Sequence, residues 1–151
     1  MTQATANKQG INNLTAARQQ IENDIREQIA FSADHTDNYR RPVLVVSKQR
    51  LRANARRFMS AMPRVRPHFA VKANPDAEIL QTFKQEGTCF EIASIAELDA
   101  MRELEVNMET VFYSNPIKSP AAIRHAADHG LVWYCVDTPE EVAKIAMIKP
   151  D

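Results

Sequence analysis

The chain has 151 residues, enough for one domain with a real core, and 19 basic against 19 acidic side chains, for a formal net charge of +0. That balance argues against a dedicated nucleic-acid binder and against attraction to acidic membranes. No run of about 18 apolar residues suggests a membrane span, and residues 1–10 are polar without an apolar leader core. Cys89 and Cys135 fall in strand-like segments and form no CxxC, which fits buried reduced thiols in a cytoplasmic protein.

Residues 1–39 read as an N-terminal extension with one helix. Met1 to Gly10 has the composition of a disordered lead. Leu14, Ala17, Ile21, Ile25 and Ile29 then mark one apolar stripe. Residues 40–151 read as the folded domain. Pro42 to Val46 is a β-branched candidate strand, and Ser47 precedes a helix carrying Leu51, Ala55, Phe58 and Met59. His68 to Lys72 is a second strand. Asn74 is the expected cap and Pro75 the expected first residue of a helix that uses Ile79, Leu80 and Phe83 and stops at Gly87. Cys89–Ala93 is a third strand, and Ser94 to Glu97 forms a capping box leading a stripe of Ile95, Leu98, Met101 and Leu104. Val111–Tyr113 is a short strand. Ser119 and Pro120 open a helix closed by Gly130, and Leu131–Val136 is the last strand. Thr138 to Glu141 reads as a second capping box, with Val142, Ile145 and Ala146 turned inward.

Strand starts near His68, Cys89, Val111 and Val132 recur at nearly constant spacing. Regular strand–helix alternation with short loops predicts an α/β fold with a parallel sheet, closed as a barrel or open and doubly wound. A full eight-unit barrel needs roughly 250 residues, so a barrel here is a partial one. Neither G-x-G-x-x-G nor a P-loop is present.

Charge is uneven along the domain. Arg40 to Arg66 contains basic residues and no acidic one, while acids dominate from Asp76 to Glu109. Solvated helix faces are the favoured reading, and a subunit contact between the two regions is the sharper alternative.

Alternation along a strand puts His68, Ala70 and Lys72 on one face, with Lys72 at the carboxyl end just before a βα loop. That end of α/β folds is where chemistry sits. An amine there, with space left by Ala70, could form a Schiff base with a carbonyl compound. A solvated lysine at a strand end is the competing reading. Glu91 would share the space if it faces inward, where opposite charges are mutually favourable; otherwise it meets an arginine or the solvated edge. Ser94, Ser114-Asn115 and Asp137-Thr138 are predicted at the same rim. His125 and His129 have a metal-capable spacing without an evident third ligand. His68 reads as a satisfied core histidine, and Ser114 to Lys118 as a turn.

Three segments taken together, Phe69-Ala70-Val71-Lys72-Ala73-Asn74-Pro75, Gly87-Thr88-Cys89-Phe90-Glu91-Ile92-Ala93-Ser94 and Ser114-Asn115-Pro116-Ile117-Lys118, resemble the ornithine/lysine decarboxylase family. These are pyridoxal-phosphate enzymes of the alanine-racemase-like barrel type. Order and spacing agree from about Pro42 to Asp151, and the Asn-Pro-Ile-Lys segment looks more like the ornithine/lysine branch than the diaminopimelate branch. The resemblance implies a partial TIM-type (β/α) barrel. It implies pyridoxal 5'-phosphate held by Lys72, with Ala70 and Glu91 beside it, and decarboxylation of ornithine or lysine to a diamine for polyamine biosynthesis. Glu91 stands where the family usually has Asp, and Cys89 where a small residue is common. The family's ring-stacking histidine, glycine-rich phosphate loop, acid at the ring nitrogen and second, β-rich domain come later in its chains. The resemblance therefore implies an amino-terminal part, inactive alone, of a protein that is a homodimer when full length. A non-catalytic decarboxylase-like binding protein, a diaminopimelate decarboxylase and a racemase are the alternatives.

Overall fold

The computed structural model describes residues 15–16, 18–20, 22–27 and 44–149. The chain divides into two compact units, Met1–Ser47 and Lys48–Asp151. In the first, the described residues between 15 and 27 are helical (α1), with Gln20 Nε2 donating to Asp24 Oδ1 one turn on, at 3.0 Å. Of the expected stripe, Ile25 is described and half-buried; Leu14, Ala17, Ile21 and Ile29 lie outside the described residues. The strand expected at Pro42–Val46 is not found where it can be seen. Pro42 and Val43 are outside the described residues, while Leu44, Val45 and Val46 have no strand conformation and Leu44 is 82% exposed. β-branched content marks a residue fit for a pleated, half-buried surface, but a strand also needs a ladder partner.

The second unit runs α2 (Lys48–Ala61), β1 (His68–Ala70), α3 (Ala77–Gln85), β2 (Cys89–Ile92), α4 (Ile95–Glu103), β3 (Val111–Tyr113), α5 (Pro120–Asp128), β4 (Trp133–Tyr134) and α6 (Pro139–Ile148). Its four strands form one parallel sheet in the order β1-β2-β3-β4. Ala70 pairs with Glu91, Glu91 with Phe112 and Phe112 with Trp133, each 21 residues after the last, so equal repeats bring equivalent positions level.

Strand order decides the fold class. Parallel crossovers are right-handed, so strands laid down steadily in one direction place every connecting helix on the same face. A doubly wound sheet instead reverses direction at a switch point. The second unit is thus a singly wound segment of a (β/α) barrel. The helix-side face is the core: Val71, Leu80, Phe90, Ile92, Leu98, Met101, Val111, Tyr113, Ala126 and Leu131 are buried together.

Local signals set the helix starts. Asp76 caps α3, accepting from the N–H groups of Glu78 and Ile79, at 3.0 and 3.2 Å. This corrects the expected cap at Asn74 and first turn at Pro75: Asn74 Oδ1 instead accepts from Asp76 N–H, at 3.1 Å, and so orients the true cap. Ser94, Ser119 and Thr138 cap α4, α5 and α6. Ser94 and Glu97 engage each other as a capping box, with Glu97 also accepting from Ala93 N–H at 2.9 Å. The second expected box is only half formed. Thr138 Oγ1 accepts from Glu141 N–H at 3.2 Å, but the Glu141 carboxylate turns away to Lys118 and Lys144. Nor is the apolar side of α6 inward: Val142 is 51% exposed, Ala146 is exposed and Ile145 half-buried, since among the described residues no further unit covers this edge.

The charge asymmetry resolves within the chain. Arg56 makes a two-pronged contact with Glu86, at 2.6 and 2.8 Å, Arg52 lies 3.5 Å from Glu86, and Lys48 pairs with Glu78. The basic face of α2 thus lies along the acidic and amide side chains of α3, with Lys48, Arg52 and Arg56 still partly open to solvent. Glu86 is held below the usual carboxylate range by its hydrogen bond from Arg56.

Candidate active site

The face of the sheet turned away from the helices carries the row Ala70, Glu91, Phe112 and Trp133. Phe90 and Ile92 are fully buried in the helix-side core, so Glu91 between them points the other way. It is half-buried, and Ser114 Oγ donates to Glu91 Oε1 at 2.8 Å. The same Ser114 continues the ladder through its N–H to Ile92 O, at 2.8 Å. Among the described residues Glu91 is partnered by the Ser114 hydroxyl and not by an arginine. Toward the amino ends of the strands the row is apolar and aromatic. His68 packs edge-on against Phe112 with centroids 4.5 Å apart, and Phe112 stacks on Trp133 at 5.4 Å. His68 Nδ1 lies 3.4 Å from Phe90 O, in keeping with a satisfied structural histidine.

Lys72 lies just beyond the carboxyl end of β1, on the rim where Ser94, Ser114 and Asn115 follow their own strands. The strand ends sooner than expected. β1 stops at Ala70, and Val71–Ala73 make one 3-10 turn, closed by Asn74 N–H to Val71 O at 3.1 Å. Alternation therefore does not orient Lys72. Instead Val71, fully buried, anchors the turn from beneath and leaves Lys72 exposed. Among the described residues Lys72 takes part in none of the hydrogen bonds or ion pairs that hold the unit together, whereas Lys118, Lys144 and Lys149 all do.

Lys118 was expected in a plain turn and is the residue that sequence reasoning missed. It is 2% exposed. Its Nζ donates to Asn115 O, Pro116 O and Cys135 O, at 2.8, 3.2 and 2.7 Å, and lies 3.1 Å from Glu141 Oε1. Lys118 N–H donates to the same carboxylate at 3.0 Å. Lys144 pairs with Glu141 from the other side and donates to Lys118 O at 2.8 Å. Together these hydrogen bonds hold Glu141 down to about 2, the one from Lys144 contributing most, against the opposing effect of burial. Only the Lys118 position in an Asn-Pro-x-Lys turn hinted at this, since its acidic partner is 23 residues away.

His125 and His129 hold no metal-binding group together: among the described residues there is no cluster of three ligating side chains. His125 Nε2 instead lies 2.8 Å from Asp99 Oδ1, tying α5 to α4, and lowers the Asp99 carboxyl below its ordinary range. Cys89 is buried, as expected of a reduced thiol, but Cys135 is exposed because β4 covers only Trp133–Tyr134 and Cys135 lies beyond it. No described helix is long and apolar enough to cross a membrane.

Comparison with known proteins converges on one family. Residues 48–151 match the family model described as pyridoxal-dependent decarboxylase, pyridoxal binding domain. The lysine/ornithine decarboxylase of Selenomonas ruminantium is 33% identical over 109 residues, covering 72% of this chain and 28% of that protein. Antizyme inhibitor 2 of Xenopus laevis is 32% identical over 95 residues, covering 63% and 21%. The crystal structure of SrLDC in complex with PLP and cadaverine superposes with a TM-score of 0.74 at 30% identity, over 82% of this chain and 32% of that one. The chain thus spans under a third of the length of each of these relatives. With a singly wound parallel sheet and a family match over most of its length, the chain belongs to the pyridoxal-dependent decarboxylases, whose cofactor is pyridoxal 5'-phosphate.

Proposed function

We propose that Lys72 is the lysine that holds the cofactor, in a decarboxylase acting on ornithine or lysine to give a diamine for polyamine biosynthesis. The observation that carries this reading is the presentation of Lys72: an exposed amine on the carboxyl rim, raised by an anchored turn and, among the described residues, unused by the framework. The donor set fits the cofactor's aldehyde end. A primary amine is offered to solvent beside a strand whose rim-facing side chain, Ala70, is a single methyl, with the Glu91–Ser114 pair level with it.

When bound, the cofactor supplies an electron sink for the charge left by loss of carbon dioxide. The residues of this chain bind and orient. Lys72 Nζ would hold the cofactor through its aldehyde carbon, and as a free amine it would hold or deliver a proton at Nζ. Ala70 leaves the space, and Ser114 holds the Glu91 carboxyl in the row beside it. The longer protein is a cytoplasmic homodimer in this reading, with residues 40–151 the first part of its barrel. The 151-residue chain by itself does not turn over substrate, because its three glycines, Gly10, Gly87 and Gly130, form no phosphate-cradling run.

The test is incubation with pyridoxal 5'-phosphate, borohydride reduction and peptide mass spectrometry. A pyridoxyl group on the Lys72 peptide, absent in Lys72→Ala, is expected. Labelling spread evenly over surface lysines overturns the assignment. Ornithine and lysine turnover by the longer protein, measured side by side, identifies the substrate. The likeness to antizyme inhibitor 2 favours a second reading, a non-catalytic binding protein. Partner capture that persists in Lys72→Ala, without turnover of either amino acid, would establish it.

A further inference from the structure

The loop after β3 runs along the rim that carries Lys72, and its hydrogen bonds are unusual for a loop. Its conformation is set by a buried cation, not by backbone pairing alone. Lys118 Nζ gathers carbonyls from two places, Asn115 and Pro116 within the loop and Cys135 at the end of β4, while Glu141 at the start of α6 neutralises it. The Lys118 side chain is 0% exposed and that of Glu141 is 4% exposed. Carbonyl oxygens that converge in a dry site repel one another and need a donor, and a lysine ammonium has three. One residue therefore sets the distance between the β3 loop, the β4 end and the amino end of α6. At its other end the same loop begins with Ser114, whose hydroxyl holds Glu91 in the row beside Ala70.

We propose that Lys118 is a positioning residue of the active site: through the 114–118 loop it holds Ser114, and with it Glu91, in place beside the Lys72 turn. This rests on the assignment of Lys72 as the cofactor-binding lysine, although the loop contacts themselves do not. Lys118 touches no reacting atom; its effect passes through backbone carbonyls. Glu141 and Lys144 are its counter-charges.

The test compares Lys118→Met with wild type in the longest available form of the protein, with Leu104→Ala as a control that loosens the core away from the rim. Two quantities are read: the rate of pyridoxyl labelling at Lys72 at subsaturating pyridoxal 5'-phosphate, and hydrogen exchange over residues 114–118. Lys118→Met is expected to label at least about tenfold more slowly, the scale on which misplacing groups near a reaction shows, with faster exchange confined to the loop and the Cys135 amide. The control should leave both unchanged. Wild-type labelling and exchange in a folded Lys118→Met protein overturn the proposal. Fast loop exchange with unaltered labelling does so too, because the lysine is then structural only. If wild type itself fails to label at Lys72, the assignment of Lys72 has failed and the positioning role that rests on it falls too, whatever the loop exchange shows. Should Lys118→Met not fold, Glu141→Gln carries the test. It keeps the acceptor for Lys118 N–H but removes the counter-charge, and the same two readouts should move in the same direction.

Discussion

Val71 and Lys72 are neighbours in one 3-10 turn, and their substitution should separate stability from chemistry. Lys72 is exposed and, among the described residues, used by no framework contact, so Lys72→Ala should change stability by no more than about 0.5 kcal/mol, the usual range for surface sites. Val71 is 0% exposed and packed in the core. Val71→Ala removes two buried methyl groups, roughly 0.8 kcal/mol each by transfer, with a cavity contribution that brings the loss to about 2–3 kcal/mol. For a domain of this size that is a fall of roughly 4–12 °C in melting temperature, against about 2 °C or less for Lys72→Ala. Thermal melts followed by circular dichroism, paired with pyridoxyl labelling, give both quantities on the same samples. Lys72→Ala should melt like wild type and lose its label, while Val71→Ala should melt early and keep it below its transition. A Lys72→Ala protein that melts as early as Val71→Ala would make Lys72 structural, and the reasoning from its exposed turn would be wrong.

Three other outcomes follow from particular contacts. Glu141 is lowered from 4.5 to about 2 in the folded chain, so its charged form stabilises the fold fully above about pH 4.5, and this is lost as the pH falls toward 2. Denaturant titrations should therefore show the stability gap between wild type and Glu141→Gln narrowing from about pH 5 to about pH 2; a constant gap would contradict the buried pairing. Gly130 has φ +80 with nothing within 4 Å of an added Cβ, so Gly130→Ala should cost about 1–2 kcal/mol through backbone conformation alone, and Gly130→Asn less; equal melting temperatures for the two would argue for a steric cause. Phe90→Ala should cost about 3–5 kcal/mol, whereas Glu91→Gln, one residue on and able to keep the Ser114 bond, should melt close to wild type; the reverse order would mean that β2 faces the other way.

Much was legible because neighbours in sequence decide it. Apolar spacing marked α2 through α5, Ser94 and Ser119 announced their helices, and near-equal repeats foretold a parallel sheet. Errors arose where two local signals competed. Asn74-Pro75 looked like a helix start, but Asp76 two residues later is a better-placed acceptor for the first N–H groups of α3. Glu141 looked like the second half of a capping box, and lost that role to two lysines. Pro42–Val46 looked like a strand from composition, which does not reveal whether a partner edge is there.

By itself, then, the order of residues determined the repeating unit, its helical stripes and a lysine after an apolar run, because each depends on side chains within a turn or two. Only the tertiary structure decided that the strands follow one another in unbroken order, which puts all helices on one side and makes the sheet a barrel segment. It also decided that the exposed amine stands on an anchored turn, and that a second, buried lysine gathers the carbonyls of the loop after β3. Those facts depend on groups about twenty residues apart meeting in a dry site, where hydrogen-bond geometry and burial, not local preference, select the partner.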